Sequence, residues 1–303
     1  MKPLPCRSAL AALSLMGLCA CGETRDFGAV PEIRPERAFA LAEAQVKIGP
    51  RPSGSENARR TAEWIRETAG ARNAEISVFE DDTPEGKKIF RNVIVTVPGK
   101  TDRFVIVGAH YDTKRLAAVP DFAGANDGAS GTAALLAMIE ALPERTELPF
   151  ALRFVFFDGE EALVSYSDSD GLHGSRHYAA GLARSGEAEK CVAMILLDMV
   201  GDKDLNVRFP ADTEKKMLER AGRVARRLGD SGRFSPGGSE MLDDHVPFRK
   251  LGIPSIDLID FEYGPDNAYW HTAQDTLEHI SGESIAAAAG FALNLIWELA
   301  GEQ

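Results

Sequence analysis

The sequence predicts a three-layer α/β/α fold around a mixed, mostly parallel central sheet. Three observations predict it. Four segments, RFVIVGAH, FALRFVFFDG, CVAMILLDM and GIPSIDLI, are near-continuous apolar runs of strand length, the pattern of strands covered on both faces. Helical stretches stand between and after them: GASGTAALLAMIEAL, GSRHYAAGLAR, TEKKMLERAGRVARRLG and SGESIAAAAGFALNLIWELAG. Strand and helix therefore alternate, as in sheets layered with helices on both faces. No repeat, low-complexity block or linker divides the chain, and 303 residues with 44% hydrophobic composition suffice for a sizeable core.

At the start, Lys2 and Arg7 flank SALAALSLMGL, Ser8 to Leu18, an apolar core too short to span a bilayer and of the kind found in export signals. LCACG, Leu18 to Gly22, then resembles a bacterial lipobox. The resemblance implies cleavage before Cys21 and lipid on its thiol, with ordinary secretory cleavage as the alternative. Residues 1–20 would be the signal, 21–34 a tether and 35–303 one catalytic domain, exported and held at the bacterial cell envelope. Membrane contact would be through the anchor only. Loss of the leader leaves Cys191, in CVAMILLD, as the one ordinary thiol. A disulfide framework is thereby excluded, and Cys191 reads as core.

RPERAFALAEAQVKIGPRP predicts a helix stopped by Gly49-Pro50, and SENARRTAEWIRETAG a second, with Ser55 as N-cap and Gly70 as stop. AEISVFEDD and KIFRNVIVTVPG alternate like a half-buried antiparallel pair. The net charge of -12 argues against nucleic acid, whose counterions Lys and Arg must replace.

Four of the buried runs carry ionisable residues at their ends. RFVIVGAH ends at His110 and continues to Asp112. FALRFVFF meets Asp158, Glu160 and Glu161, and CVAMILL meets Asp198. GIPSIDLI is preceded by Asp243, Asp244 and His245. In an open α/β sheet such strand ends line the ligand crevice. Asp127, in GANDGASG, and His271, in WHT, join them. Each has a plainer reading: Asp127 as a helix N-cap, the Glu160-Glu161 pair as a solvated loop, His173 and His177 as surface or supporting groups, His279 as a cap or a solvated group. Together they would repel without a divalent ion. Imidazole and carboxylate without thiolate suit Zn²⁺ in a catalytic role. One carboxylate of the pair can then ligate while its neighbour carries protons.

HYD, GANDGASG, DGEEA, LLDM and WHT, in that order, resemble the zinc-dependent M28 peptidase family, from about Arg34 to the C-terminus. FFDGEEALVSYSDSDGLHGSRHYA and DDHVPFRKLGIPSIDLI…WHT are closer to its glutaminyl-peptide cyclotransferase branch than to its aminopeptidases. The resemblance implies a zinc exopeptidase-like fold acting on peptide or protein N-termini. It makes Asp127, Glu161 and His271 the zinc ligands and Glu160 the proton shuttle. Asp198 and Asp243 become acidic partners in a hydrogen-bond network, and Trp270 and Tyr166 pocket walls. The reaction implied is cyclisation of an N-terminal glutamine to pyroglutamate with release of ammonia. In the aminopeptidase reading His110, Asp127 and Asp198 hold one zinc, and Glu161 with His271 a second across a bridging Asp127. Glu160 is then the base toward water. GANDGASG is closer to the aminopeptidase form of that loop. Tyr166 stands where animal cyclases place tryptophan and Asp257 where they place histidine, and DFEYGPDNAY before Trp270 is longer. A binding protein that keeps a metal without turnover is the third reading, and it leaves Glu160 unexplained.

Overall fold

A computed structural model describes Met1, residues 27–70 and residues 72–303; the export-signal residues and Cys21 lie outside the described residues apart from Met1. Two helices come first, α1 (Pro35–Val46) and α2 (Glu56–Thr68). Ser55 caps α2, its Oγ accepting the Ala58 N–H at 3.1 Å. A hairpin of β1 (Ala74–Thr83) and β2 (Gly86–Val97) leads to β3 (Phe104–His110), α3 (Ala129–Ala141), β4 (Ala151–Phe157), α4 (His173–Ser185) and β5 (Cys191–Asp198). The remainder is β6 (Val207–Phe209), α5 (Lys215–Leu228), β7 (Phe234–Pro236), the short α6 (Val246–Lys250), β8 (Ser255–Ile259) and α7 (Gly282–Gly301). No pattern along the chain predicts β6, β7 or α6, which are three to five residues long.

The main sheet runs β1-β2-β4-β3-β5-β8, while β6 and β7 form a separate parallel pair. β1 and β2 are antiparallel, as is β2 against β4; β4, β3, β5 and β8 are mutually parallel. All seven residues of β3 are buried, because alternate side chains enter two different cores. Val105, Val107 and Ala109 of β3 join Ile195 and Leu197 of β5 in the core under α1, α2, α3, α5 and α7. Phe104 and Ile106 join Met194 and Leu196 on the opposite face, against Ala179 and Leu182 of α4 and Phe248 of α6. Burial of a Leu or Phe side chain contributes about 1.5–3 kcal/mol, so a strand that is apolar on both faces is held in register from both sides. α7 is apolar and long enough to cross a membrane, but most of it is buried in the larger core.

The described part of the expected tether is packed on the domain: Ile33 is buried and the Trp297 indole donates to the Gly28 carbonyl at 2.9 Å. His173 is also buried, against the surface reading, stacked on Phe90 with its Nδ1 2.8 Å from Asp81. His177 stacks on Phe79. α7 is capped by Ser281, not by His279. Cys191 is buried at the start of β5, as its apolar run predicts, and burial pushes its thiol up to about 12.

Candidate metal centre and active-site cleft

Parallel strands bring their carboxyl ends to one edge, and there β3, β4 and β5 deliver His110, the Asp158–Glu161 turn and Asp198. Asp127 arrives from the loop before α3. It does not cap that helix; the cap position is Gly128, with no side-chain cap bond. Gly128 has φ +93°, and a Cβ there would come within 2.5 Å of the Asp112 carbonyl, so only glycine lets the loop pass close enough to aim Asp127 inward. Gly159, φ +76°, plays the same part between Asp158 and Glu160, where a Cβ would strike the Phe90 ring at 2.6 Å. His271 holds φ +53°, unusual for a non-glycine residue and of a kind that clusters at functional sites.

The side chains converge in two sets that share Asp127. Asp127 Oδ1 stands 3.2 Å from His110 Nε2, and Asp127 Oδ2 stands 3.1 Å from His271 Nε2. His110 Nε2 also faces Asp198 Oδ1 at 3.1 Å, and His271 Nε2 faces Glu161 Oε1 at 3.0 Å. In each set, His110–Asp127–Asp198 and Asp127–Glu161–His271, three ligand atoms lie within 4.8 Å of one another. Glu160, next in the chain to Glu161, belongs to neither set. Its carboxylate accepts from the Tyr166 hydroxyl, 3.0 and 3.1 Å from the two oxygens.

The electrostatics of this cluster call for a cation. Burial and then the Glu161 charge push Glu160 well above the ordinary carboxylate range. Burial and then Asp127 raise Glu161; burial and then Asp257 raise Asp243. Burial would raise Asp127 too, but hydrogen bonds from His110 and His271 hold it low. Burial lowers His271, yet its bonds to Asp127 and Glu161 outweigh that and bring it up to about 9. Carboxylates that resist ionising together and imidazoles that must charge beside them are the signature of missing positive charge. The donor set fits a metal on its own chemistry. Two imidazole Nε2 atoms and three carboxylates, with no thiolate, suit a borderline ion such as zinc, and the buried oxygens Asp127 Oδ2 and Glu161 Oε2 have only His271 Nε2 at 3.1 Å and Lys114 Nζ at 3.3 Å as cationic neighbours among the described residues.

Asp112, which the sequence places at the end of the β3 run without a role, and three residues that sequence reasoning missed hold this geometry. Asp112 is fully buried; its Oδ1 accepts the Glu160 N–H at 3.1 Å, and its Oδ2 accepts the Glu161 N–H at 3.3 Å and the Ser53 hydroxyl at 3.1 Å. Asp275 accepts the Asn126 and Asp127 N–H groups at 2.7 and 3.2 Å. Arg51 is fully buried and donates to the carbonyls of Tyr111, Ala123 and Gly124, tying the Asp112 and Asp127 loops together. Lys114 sits 3.3 Å from Glu161 Oε2. Asp275, Arg51 and Lys114 are each one charged residue in an unremarkable sequence context, and only their place in the fold marks them.

A cavity of about 220 Å³ opens beside Glu160, Glu161, Asp127 and His271, with Asp198 and Asp243 on its walls and Tyr166, Met199, Phe261 and Trp270 around it. Trp270 stacks on His271, ring centroids 4.1 Å apart, and meets Phe261 edge-on. Of the site residues expected from the sequence, Asp127, Glu160, Glu161, Tyr166, Asp198, Asp243, Trp270 and His271 line this cleft, and His110 stands behind it against Asp127 and Asp198.

Fold and site define a class: an α/β protein with a candidate histidine–carboxylate metal site at the carboxyl edge of its sheet. Within that class the chain matches the model of peptidase family M28 over residues 92–296 and belongs to that family, and membership implies zinc. It is similar to a glutaminyl-peptide cyclotransferase of Drosophila melanogaster, 30% identical over 67% of this chain and 63% of that one. The matched segment spans 63% to 66% of the length of such curated relatives. Among solved structures, an Acidobacteriales bacterium glutaminyl cyclase is 33% identical with a TM-score of 0.86, over 92% of this chain and 99% of that one. A leucine aminopeptidase precursor from Bacteroides thetaiotaomicron shares the fold, with 23% identity and a TM-score of 0.77 over 89% of this chain and 98% of that one.

Proposed function

We propose that the chain is a zinc-dependent glutaminyl-peptide cyclotransferase, converting the N-terminal glutamine of peptides to pyroglutamate. The observation that carries this is Glu160: a buried carboxylate outside both ligand sets, facing the cavity beside one of them. Likeness to glutaminyl cyclases over nearly their whole length supports it. Zinc bound by Asp127, Glu161 and His271 would stabilise charge that develops on the side-chain amide oxygen.

The chain's own residues do the rest. The cavity takes the glutamine side chain against Trp270 and Phe261, with the free amine toward Glu160 and Asp243. The amine nitrogen attacks the side-chain amide carbon, a C–N bond forms, and the bond to the amide nitrogen breaks. Glu160 accepts a proton from the amine and returns one to the departing ammonia, so no water is consumed. A carboxyl raised by burial is suited to both halves of that transfer. Tyr166 orients Glu160 through its hydroxyl, and Asp198 and Asp243 extend the acidic network behind it.

Glu160→Gln should retain zinc and lose on the order of 10²–10⁴-fold in turnover of a Gln-peptide; unchanged turnover would leave only a metal-retaining binding protein. A second reading, M28 aminopeptidase, is favoured by one specific observation. Asp127 presents one oxygen to each imidazole, the arrangement of a carboxylate bridging two ions. Ammonia release from a Gln-peptide without free amino acid supports the cyclase; free leucine from a Leu-peptide without ammonia supports the aminopeptidase. A zinc count of one or two per chain separates the metal arrangements. Lipid on Cys21 would place the domain at the cell envelope, and loss of detergent-phase partitioning in Cys21→Ala tests that.

A further inference from the structure

A second cavity, about 390 Å³, adjoins the first. Tyr166 and Leu242 line both, so the two cavities are neighbours with these side chains as their common wall. The floor of the second, a groove, is the seam between α4 and α6, with Leu172, Ala179, Val246 and Leu251 as apolar wall. Tyr166, Leu242, Leu251 and Phe261 are four of the few large apolar side chains left exposed among the described residues, and all border this groove or its neighbour. Exposed apolar groups gathered at one place mark a binding surface rather than ordinary surface scatter.

The groove also carries charge. Arg176 Nε and Nη1 are engaged by the carbonyls of Leu172, Ser167 and Asp168, but its Nη2 is buried without a hydrogen-bond partner. Lys250 stands at the rim and makes no ion pair among the described residues. Two carboxylates share the wall. Asp170 keeps its charge but spends its oxygens on the N–H groups of Leu163, Val164 and Ser165, while Asp168 is the second opposing charge. A buried N–H without a partner is costly, and a small turn of the guanidinium toward the groove would let a ligand carboxylate satisfy it.

We propose that this groove is the subsite for the second and third residues of the peptide substrate, taking an apolar side chain on the α4–α6 seam and a carboxylate on Arg176 and Lys250. The proposal rests on the reading that a peptide N-terminus occupies the Glu160 cavity. An extended peptide advances about 3.3 Å per residue, so the residues behind that terminus run directly past Tyr166 into the groove. The groove is therefore a specificity determinant and takes no part in the chemistry.

The test is a substrate series with one minimal Gln-amide and Gln-peptides whose second and third residues are Leu-Glu, Ala-Ala or Leu-Lys, on wild type and Lys250→Glu. Lys250 is exposed and bonds to nothing that holds the fold, whereas Arg176 anchors the 167–168 turn. Expected for wild type is kcat/KM highest for Leu-Glu. Expected for Lys250→Glu is a loss of roughly three- to tenfold on Leu-Glu, of the size of a partly screened ion pair, a gain on Leu-Lys, and no change on the minimal amide. Equal rates across the peptides in both proteins overturn the subsite and leave the cyclase reading standing. No turnover of any Gln substrate sinks that reading. Calorimetric Kd values for the unreactive pyroglutamyl forms of the same peptides then decide the groove alone: a Leu-Glu preference that Lys250→Glu abolishes supports it, and equal affinities overturn it.

Discussion

Asp112→Asn is the sharpest test of how the centre is built. The carboxylate is fully buried and accepts three hydrogen bonds, from the Glu160 and Glu161 N–H groups and the Ser53 hydroxyl. An amide keeps one acceptor oxygen and replaces the other with a donor. The least costly placement turns the new NH₂ toward Ser53, whose hydroxyl can rotate to accept, and leaves the Glu161 N–H buried and unpaired at about 1–3 kcal/mol. The bond kept to the Glu160 N–H loses its charge assistance, about a further 1 kcal/mol. The sum is about 2–4 kcal/mol, which at about 2–4 °C per kcal/mol lowers Tm by roughly 5–15 °C. Because the freed N–H belongs to a zinc-ligand candidate, metal affinity should fall about 10- to 100-fold. Differential scanning calorimetry and zinc content after dialysis against a graded chelator read both quantities. A Tm within about 2 °C of wild type together with undiminished zinc retention would refute the claim that Asp112 holds the Glu160–Glu161 turn.

Tyr166→Phe removes the donor to the Glu160 carboxylate. Loss of a bond to the charged form raises an acid's pKa, so the acidic limb of the kcat/KM profile should move to higher pH by up to about one unit, discounted because Tyr166 is partly exposed. An unmoved limb would place the tyrosine elsewhere in the working enzyme. His245 is buried between Asp212 and Asp257, and burial lowers it to about 4. An imidazole depressed from 6.5 in the fold is kept neutral, so the unfolded chain binds the extra proton as pH falls through 6.5, and stability is lost in that window. Relative to His245→Asn, wild type should therefore lose about 2 kcal/mol between pH 7.5 and pH 5, measured as denaturant midpoints; parallel curves for the two proteins would contradict the assignment.

How much of this was legible beforehand depends on how local each signal is. β3, β4, β5 and β8 announced themselves because a strand covered on both faces is apolar at nearly every position, a pattern that runs of five to eight residues display with few breaks, Arg153 in β4 and Asp257 in β8 among them. The Glu160-Glu161 pair was conspicuous for the opposite reason, as charge set directly after such a run. Segments three to five residues long, β6, β7 and α6, carry too few positions to show a period.

The sequence by itself determined the alternation of strand and helix, the chemical types gathered at the strand ends and the demand for a cation. Each of those follows from short-range pattern and from the cost of burying like charges. Only the tertiary structure decided that Asp127 turns one oxygen to His110 and the other to His271, partners 17 and 144 positions away. The same folding buried Asp112, Asp275 and Arg51 as the frame beneath the centre and laid the α4–α6 seam alongside it. These are contacts between segments distant in the chain, made when the parallel strands bring all their carboxyl ends to a common edge, and no local run of residues encodes which side chain will face which.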